Sequence, residues 1–276
     1  MIFHGIDDWD DAYANGPNIP RGDEWPQRWS DLAEPFRTRM DEEGRAMLGQ
    51  RYGTRSRNLF DLFMPQVDAK GLVVFIHGGF WLRLDRDFLS HLAAGPMAHG
   101  YAVAMPSYTL CPDIKVSGIV KEIGSAVEVA ASRINGPIYL TGHSAGGHLA
   151  TRMVCANSAL KEETRSRIVT TVSISGVHDL RPLLRTKLNN GLRLDPEEAH
   201  RESPVLLAPI EGAKICCWVG AGERAEFIRQ NALLANVWTG LGAKTMTVEE
   251  PDRHHFNVVD GLADPEHPLT RTLLMG

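Results

Sequence analysis

From about residue 51 onward, short apolar runs alternate with helical periods, and this pattern limits the chain to very few folds. Residues 72–76 (Leu-Val-Val-Phe-Ile), 101–105, 138–140, 168–174 and 215–219 read as strands apolar on both faces, and 245–248 as a final strand. Between them, helices are predicted over about 86–99, 116–133 and 225–238. The second carries Val116, Ile119, Val120, Ile123, Val127 and Ala130 at helical spacing. Strands that are apolar throughout need cover on both faces, and intervening helices supply it. The expected class is therefore α/β, with a mostly parallel central sheet and helices on both sides. Residues 58–65 alternate before the stop at Pro65, which suits an early antiparallel strand. Residues 1–50 differ from the rest. They are rich in Asp, Arg, Pro and Trp (Trp9, Trp25, Trp29) and show little strand character. They read as an extension packed on the main domain, 51–276, and with Tyr13 and Trp25 as a cap over its site.

At 276 residues the chain can bury one full α/β core. A net charge of −5 argues against nucleic acid or an anionic membrane as a partner. No run of about 18 apolar residues is present to span a bilayer. The start, Met1 to Asp10, is acidic and lacks the basic and apolar regions of a secretory signal, so a cytoplasmic location is expected. Cys111, Cys155, Cys216 and Cys217 form no Cys-x-x-Cys pair. The adjacent two lie in a strand, where neighbours point to opposite faces, so all four are expected as reduced, mostly buried thiols. No Cys, His and carboxylate set has metal-ligand spacing, so no metal and no organic cofactor is expected. The expected partner is a small-molecule substrate, with a homodimer as the expected assembly.

Residues 142–148 read Gly-His-Ser-Ala-Gly-Gly-His, directly after the apolar run 137–140 and directly before a helical stretch. Gly-x-Ser-x-Gly on a strand-to-helix turn pushes the Ser144 hydroxyl out of the sheet as a nucleophile. A serine hydroxyl needs a base, and the base needs an orienting acid. In a parallel sheet such groups gather beyond the carboxyl ends of strands. Glu223 is the first carboxylate past the strand ending at Val219. The loop after Val248 carries His254 and His255. The order serine, acid, histidine is that of an α/β-hydrolase. A tetrahedral intermediate also needs N–H donors. Ala145 follows the nucleophile, and Gly78 and Gly79 lie in His77-Gly78-Gly79-Phe80-Trp81, just past another strand.

These two segments, 75–81 and 142–148, resemble the α/β-hydrolase fold in its esterase/lipase branch. They are most similar to the kynurenine formamidase (arylformamidase) group, whose signature is His-Gly-Gly-x-Trp with Gly-His-Ser-Ala-Gly. The likeness continues through Met105-Pro106-Ser107-Tyr108, Ser175-Gly176-Val177-His178-Asp179-Leu180, Val219-Gly220-Ala221-Gly222-Glu223 and His255-Phe256-Asn257-Val258-Val259. The resemblance implies a serine hydrolase that cleaves a small-molecule amide or ester through an acyl-enzyme. An aryl formamide of the N-formylkynurenine type is the expected substrate. The alternatives are a carboxylesterase of another small molecule and, third, a non-catalytic ligand-binding relative. It also places the base directly before Phe, which selects His255 over His254. The group usually has Asp at the acid position, where this chain has Glu223. Asp179 reads instead as a helix N-cap, Glu226 as solvated one turn further on, and Asp252 as too near His255 to orient it. Phe80, Trp81 and Tyr108 are candidates to line an acyl or aromatic pocket. His77, His143 and His148 are expected to serve packing.

Overall fold

The computed structural model describes residues 5–275. Eight strands form one sheet: β1 (Ala46–Arg51), β2 (Leu59–Phe63), β3 (Leu72–Ile76), β4 (Ala102–Pro106), β5 (Ile138–His143), β6 (Ile168–Ile174), β7 (Lys214–Gly220) and β8 (Lys244–Glu250). Their order is β1-β2-β4-β3-β5-β6-β7-β8. The first two pairings, β1 with β2 and β2 with β4, are antiparallel, and every later one is parallel. The central strands are buried on both faces, as their unbroken apolar runs require. β8 is an edge strand, so its residues are largely exposed or half-buried.

Alternation along β3 shows how the core is divided. Leu72, Val74 and Ile76 face one cluster, and Val73 and Phe75 face the other. The first cluster packs under three helices, α2 (Val116–Arg133), α3 (Ala145–Met153) and α4 (Ala225–Gly240). The second packs under the N-terminal helix α1 (Trp25–Glu42) and the segment 86–98.

Two local expectations are corrected. The N-terminal segment holds an 18-residue helix, α1, and all but the last residue of a strand, β1. The helix buries Trp25, Trp29, Ala33, Phe36 and Met40, a spacing of one face. β1 alternates half-buried and exposed positions, but its residue types do not follow that alternation, with Met47 on the exposed side and Gln50 on the half-buried side. Its register shifts at Gly49, which has φ +63. The expected helix over 86–99 is two pieces. Arg86–Ala93 is 3-10, with Leu89 off helical geometry, and Ala94–Ala98 is α-helical. Pro96 explains the break: proline is accommodated in the first turn of a helix, not in the interior of a longer one.

The N-terminal helix is locked to the sheet through Asp61 of β2. Its fully buried carboxylate accepts from Arg37 of α1, from Arg86 Nε (3.1 Å) and from the Gly49 N–H (2.7 Å). Asp61→Ala leaves two guanidinium groups without their carboxylate. It is expected to lower stability by about 3–5 kcal/mol, read from urea unfolding. A loss below about 1 kcal/mol would show that the network is solvated and weak.

Among the described residues no helix is long and apolar enough to cross a membrane. All four cysteines are buried and unpaired, and burial pushes the Cys155 thiol up to about 11.

Candidate active site

Ser144 sits between β5 and α3 at φ 57°, ψ −117°, a region that costs a non-glycine residue about 1–3 kcal/mol. The surrounding glycines make the turn possible by their lack of bulk. A Cβ on Gly146 would lie 1.9 Å from the Ile76 carbonyl oxygen, and one on Gly142 would lie 2.3 Å from that of Gly146. The turn is pinned on the sheet by the Ser144 N–H, which donates to Ile174 O at 2.8 Å.

The His77–Phe80 loop lies directly against this turn. A Cβ on Gly78 would stand 2.7 Å from His143 O and 3.1 Å from Ser144 Cβ. Gly79 has φ +102°, open to glycine and strained for other residues. The backbone N–H groups of Gly78, Gly79 and Ala145 have no acceptor among the described residues. His77 braces the loop: its ring stacks on Tyr108 at 4.3 Å, and its Nδ1 pairs with Gly78 O at 2.8 Å. Burial holds His77 down to about 4, so the ring is neutral and Nδ1–H is the donor.

Of the three aromatic residues expected to line a pocket, the structure puts only Phe80 there. Trp81 is fully buried below the loop, edge-on to His148 at 5.1 Å. Positive φ at both Phe80 and Trp81 turns the chain sharply at this point. Tyr108 is also fully buried, and its hydroxyl donates to His77 O at 3.1 Å. Both residues support the loop and do not face the cleft.

His255 Nδ1 donates to Glu223 Oε2 at 2.6 Å, and the two side chains are 3% and 0% exposed. The other carboxylate oxygen, Oε1, accepts from Ser175 Oγ (2.5 Å) and from the Gly220 N–H (2.9 Å). These two donors fix the longer glutamate side chain where the resemblance anticipates aspartate. Ser175 is the first residue past β6, so the strand-end rule that selected Glu223 could have found it too. The His255 carbonyl accepts from His143 Nε2 at 2.7 Å, and Phe227 packs 4.5 Å from the His255 ring. His143 is held well below its ordinary range, chiefly by burial. His254 turns the other way, against Trp25 at 5.0 Å, and its Nδ1 accepts from the Phe256 N–H. No hydrogen bond joins Ser144 Oγ to His255 among the described residues. In sites without substrate that contact is commonly loose.

Glu226 is not solvated as expected. It is buried, accepting from the Tyr13 hydroxyl (2.7 Å), Gln230 Nε2 (3.0 Å) and the Arg229 guanidinium. The α4 pattern alone left it facing water, and the distant N-terminal segment covers it. Asp179 Oδ1 accepts from the N–H of Arg181, the first residue of the 3-10 turn Arg181–Arg185, at 3.1 Å, as a capping carboxylate does, and the same carboxylate holds the Arg181 guanidinium at 2.8 and 2.9 Å.

Ser144 and His255 open onto one cleft of about 1010 Å³. Its wall includes Tyr13, Asn15, Ile19 and Trp29 from the N-terminal segment, and Phe80 and Phe256 from the main domain. Trp25 stands behind this wall, packed on Trp29 and Phe256 with ring centroids 6.1 Å apart in each case. Among the described residues no three His, Cys, Asp or Glu side chains converge to hold a metal ion.

Comparison with known proteins places the chain by family and fold. The BD-FAE family model matches residues 60–197. The kynurenine formamidase of Salmo salar is 30% identical, with 83% of this chain and 81% of that protein aligned. That of Danio rerio is 29% identical over 81% and 79% respectively. A crystal structure of a proposed thioesterase from Silicibacter sp. TM1040 superimposes with a TM-score of 0.92 at 44% identity, covering 98% of this chain and all of the other. The chain therefore belongs to the BD-FAE family, an esterase-like hydrolase family of the α/β-hydrolase fold, with kynurenine formamidases among its relatives.

Proposed function

We propose that the protein is a serine hydrolase that cleaves aryl formamides of the N-formylkynurenine type through an acyl-enzyme. The observation that carries this reading is the buried His255–Glu223 pair at 2.6 Å, opening with Ser144 onto one cleft. Ser144 Oγ attacks the carbonyl carbon while His255 Nε2 takes its proton. Glu223 holds the tautomer by accepting from Nδ1–H and stabilises the imidazolium that forms. The free N–H groups of Gly78, Gly79 and Ala145 receive the developing oxyanion, each such donor contributing about 2.7–4 kcal/mol. His255 returns the proton to the leaving nitrogen as the C–N bond breaks. Water then adds to the acyl group by the same route, releasing the acid and regenerating the serine.

The segment before α1 supplies part of the cleft wall, which supports a role as a cap that selects substrate. The buried, unpaired cysteines suit a reducing compartment such as the cytoplasm.

The test is a comparison of kcat/KM for N-formylkynurenine with that for short p-nitrophenyl esters. The formamide is expected to be the better substrate by at least about tenfold, the discrimination a few well-placed contacts supply. A formamide value equal to or below that for the esters would leave a carboxylesterase of another small molecule.

A further inference from the structure

The cleft wall carries two polar side chains whose hydrogen-bonding capacity the protein leaves unused. Asn15 is 4% exposed, and among the described residues neither its Oδ1 nor its Nδ2 has a partner. Trp29 is 2% exposed, and its indole Nε1 has none either. Both line the cleft onto which Ser144 and His255 open. Buried polar groups are almost always paired, and an exception calls for a reason. The wall is mixed: Ile19, Phe80 and Phe256 are apolar, and the charged Asp10, Arg21, Asp23, Arg83 and Lys187 that also line it pair with neither group.

Asn15 is also firmly held. Its own backbone is satisfied, with its N–H on Tyr13 O (3.1 Å) and its carbonyl accepting from the Asn18 N–H (3.0 Å). On one side, Tyr13 is tied to Glu226 and Gln230. On the other, Asn18 Nδ2 donates to Asp11 Oδ1 (3.0 Å) and Ala14 O (2.8 Å), and Arg224 Nε donates to Asp11 O (3.1 Å). An unpaired carboxamide on a support fixed at both ends is a preorganised recognition group, because little ordering remains to be done when a ligand arrives.

We infer that Asn15, with the indole N–H of Trp29, is the polar specificity element of the cleft. It reads a substrate group that presents a donor beside an acceptor, such as an amide, away from the bond that is cut. Asn15 Oδ1 accepts from that group's N–H, while Asn15 Nδ2 and Trp29 Nε1 donate to its carbonyl. This rests on the hydrolase reading above and adds which small molecules the cleft prefers. A site built to hydrogen-bond a substrate rejects the analogue that lacks the partner, because its own polar groups then stay unpaired.

Two matched pairs of substrates test this. On the acyl side, p-nitrophenyl N-acetylglycinate is compared with p-nitrophenyl pentanoate. On the leaving-group side, 2-carbamoylformanilide is compared with formanilide. In at least one pair the unaltered protein is expected to prefer the amide-bearing member by about 10–100-fold in kcat/KM. Asn15→Leu, similar in size but without polar atoms, is expected to remove most of that preference while changing the plain member less than about threefold. Asn15→Ala gives the same readout if the leucine variant does not fold, and Trp29→Phe is expected to remove part of the preference. Absence of preference in both pairs with the unaltered protein overturns the inference. So does an equal fall on both members in the Asn15 variants, which would mark a packing role. Failure of the hydrolase reading looks different: no substrate is turned over, and Ser144 is not labelled by a fluorophosphonate.

Discussion

Ser144→Ala is expected to lower kcat by about 10⁶-fold, the scale on which a serine triad loses its nucleophile. The whole effect falls on chemistry. Ser144 Oγ has no hydrogen-bond partner that the fold depends on, and the turn is held by the backbone N–H on Ile174 O. Alanine meets the same strained φ and ψ as serine, so the melting temperature should stay within a few degrees of the parent protein. Steady-state kinetics on the preferred substrate, with a thermal melt on the same sample, gives both quantities. Fluorophosphonate labelling should vanish together with turnover. A variant that keeps more than about a hundredth of the parent activity would remove Ser144 from the nucleophile role.

The second large effect separates two adjacent residues. His255→Ala is expected to cost nearly as much as loss of the serine, because members of a triad act as a unit and their losses do not add. The change also leaves Glu223 buried, its carboxylate held only by Ser175 and Gly220. His254→Ala should leave kcat within a few-fold of the parent. Its ring packs on Trp25 at 5.0 Å and its Nδ1 caps a backbone N–H, so the loss is one of packing, about 0.5–1.5 kcal/mol of stability. Measuring kcat and unfolding free energy for both variants decides the matter. If His254→Ala were the inactive one, the base would be misassigned.

The parts of this protein that were legible in its sequence are those fixed by local chemistry. Strands β3 to β7 announce themselves because burial on both faces demands unbroken apolar runs. Ser144 and Gly78 lie in motifs just past strand ends and Glu223 is the first carboxylate past its strand, whereas the strand-end rule leaves His254 and His255 together and the resemblance selects His255. What stayed hidden depends on partners far away in the chain. Glu226 looked solvated because nothing near it in sequence shows that Tyr13, 213 residues away, donates to it. Trp81 and Tyr108 sit beside the reactive loop in sequence, and sequence cannot tell a side chain that faces the cleft from one tucked beneath the loop. The helix α1 was a different kind of miss. Trp25, Trp29, Ala33, Phe36 and Met40 lie on one helical face, but Pro35 inside the helix and the many charged residues between them weaken the helical pattern.

The ties between the N-terminal segment and the start of α4 have a consequence for how such a protein can diversify. Arg224 and Glu226, which hold Asp11 and Tyr13, follow Glu223 by one and three positions along the chain. Under the proposed mechanism, a mutation that loosens either anchor disturbs the cleft wall and the acid's loop together, and selection acts on both at once. Positions 11 and 13 are therefore expected to change slowly over evolutionary time. Residues 14–17, 19 and 21–23 line the cleft beyond the anchors, where new preferences can be explored without disturbing the machinery that cuts the bond.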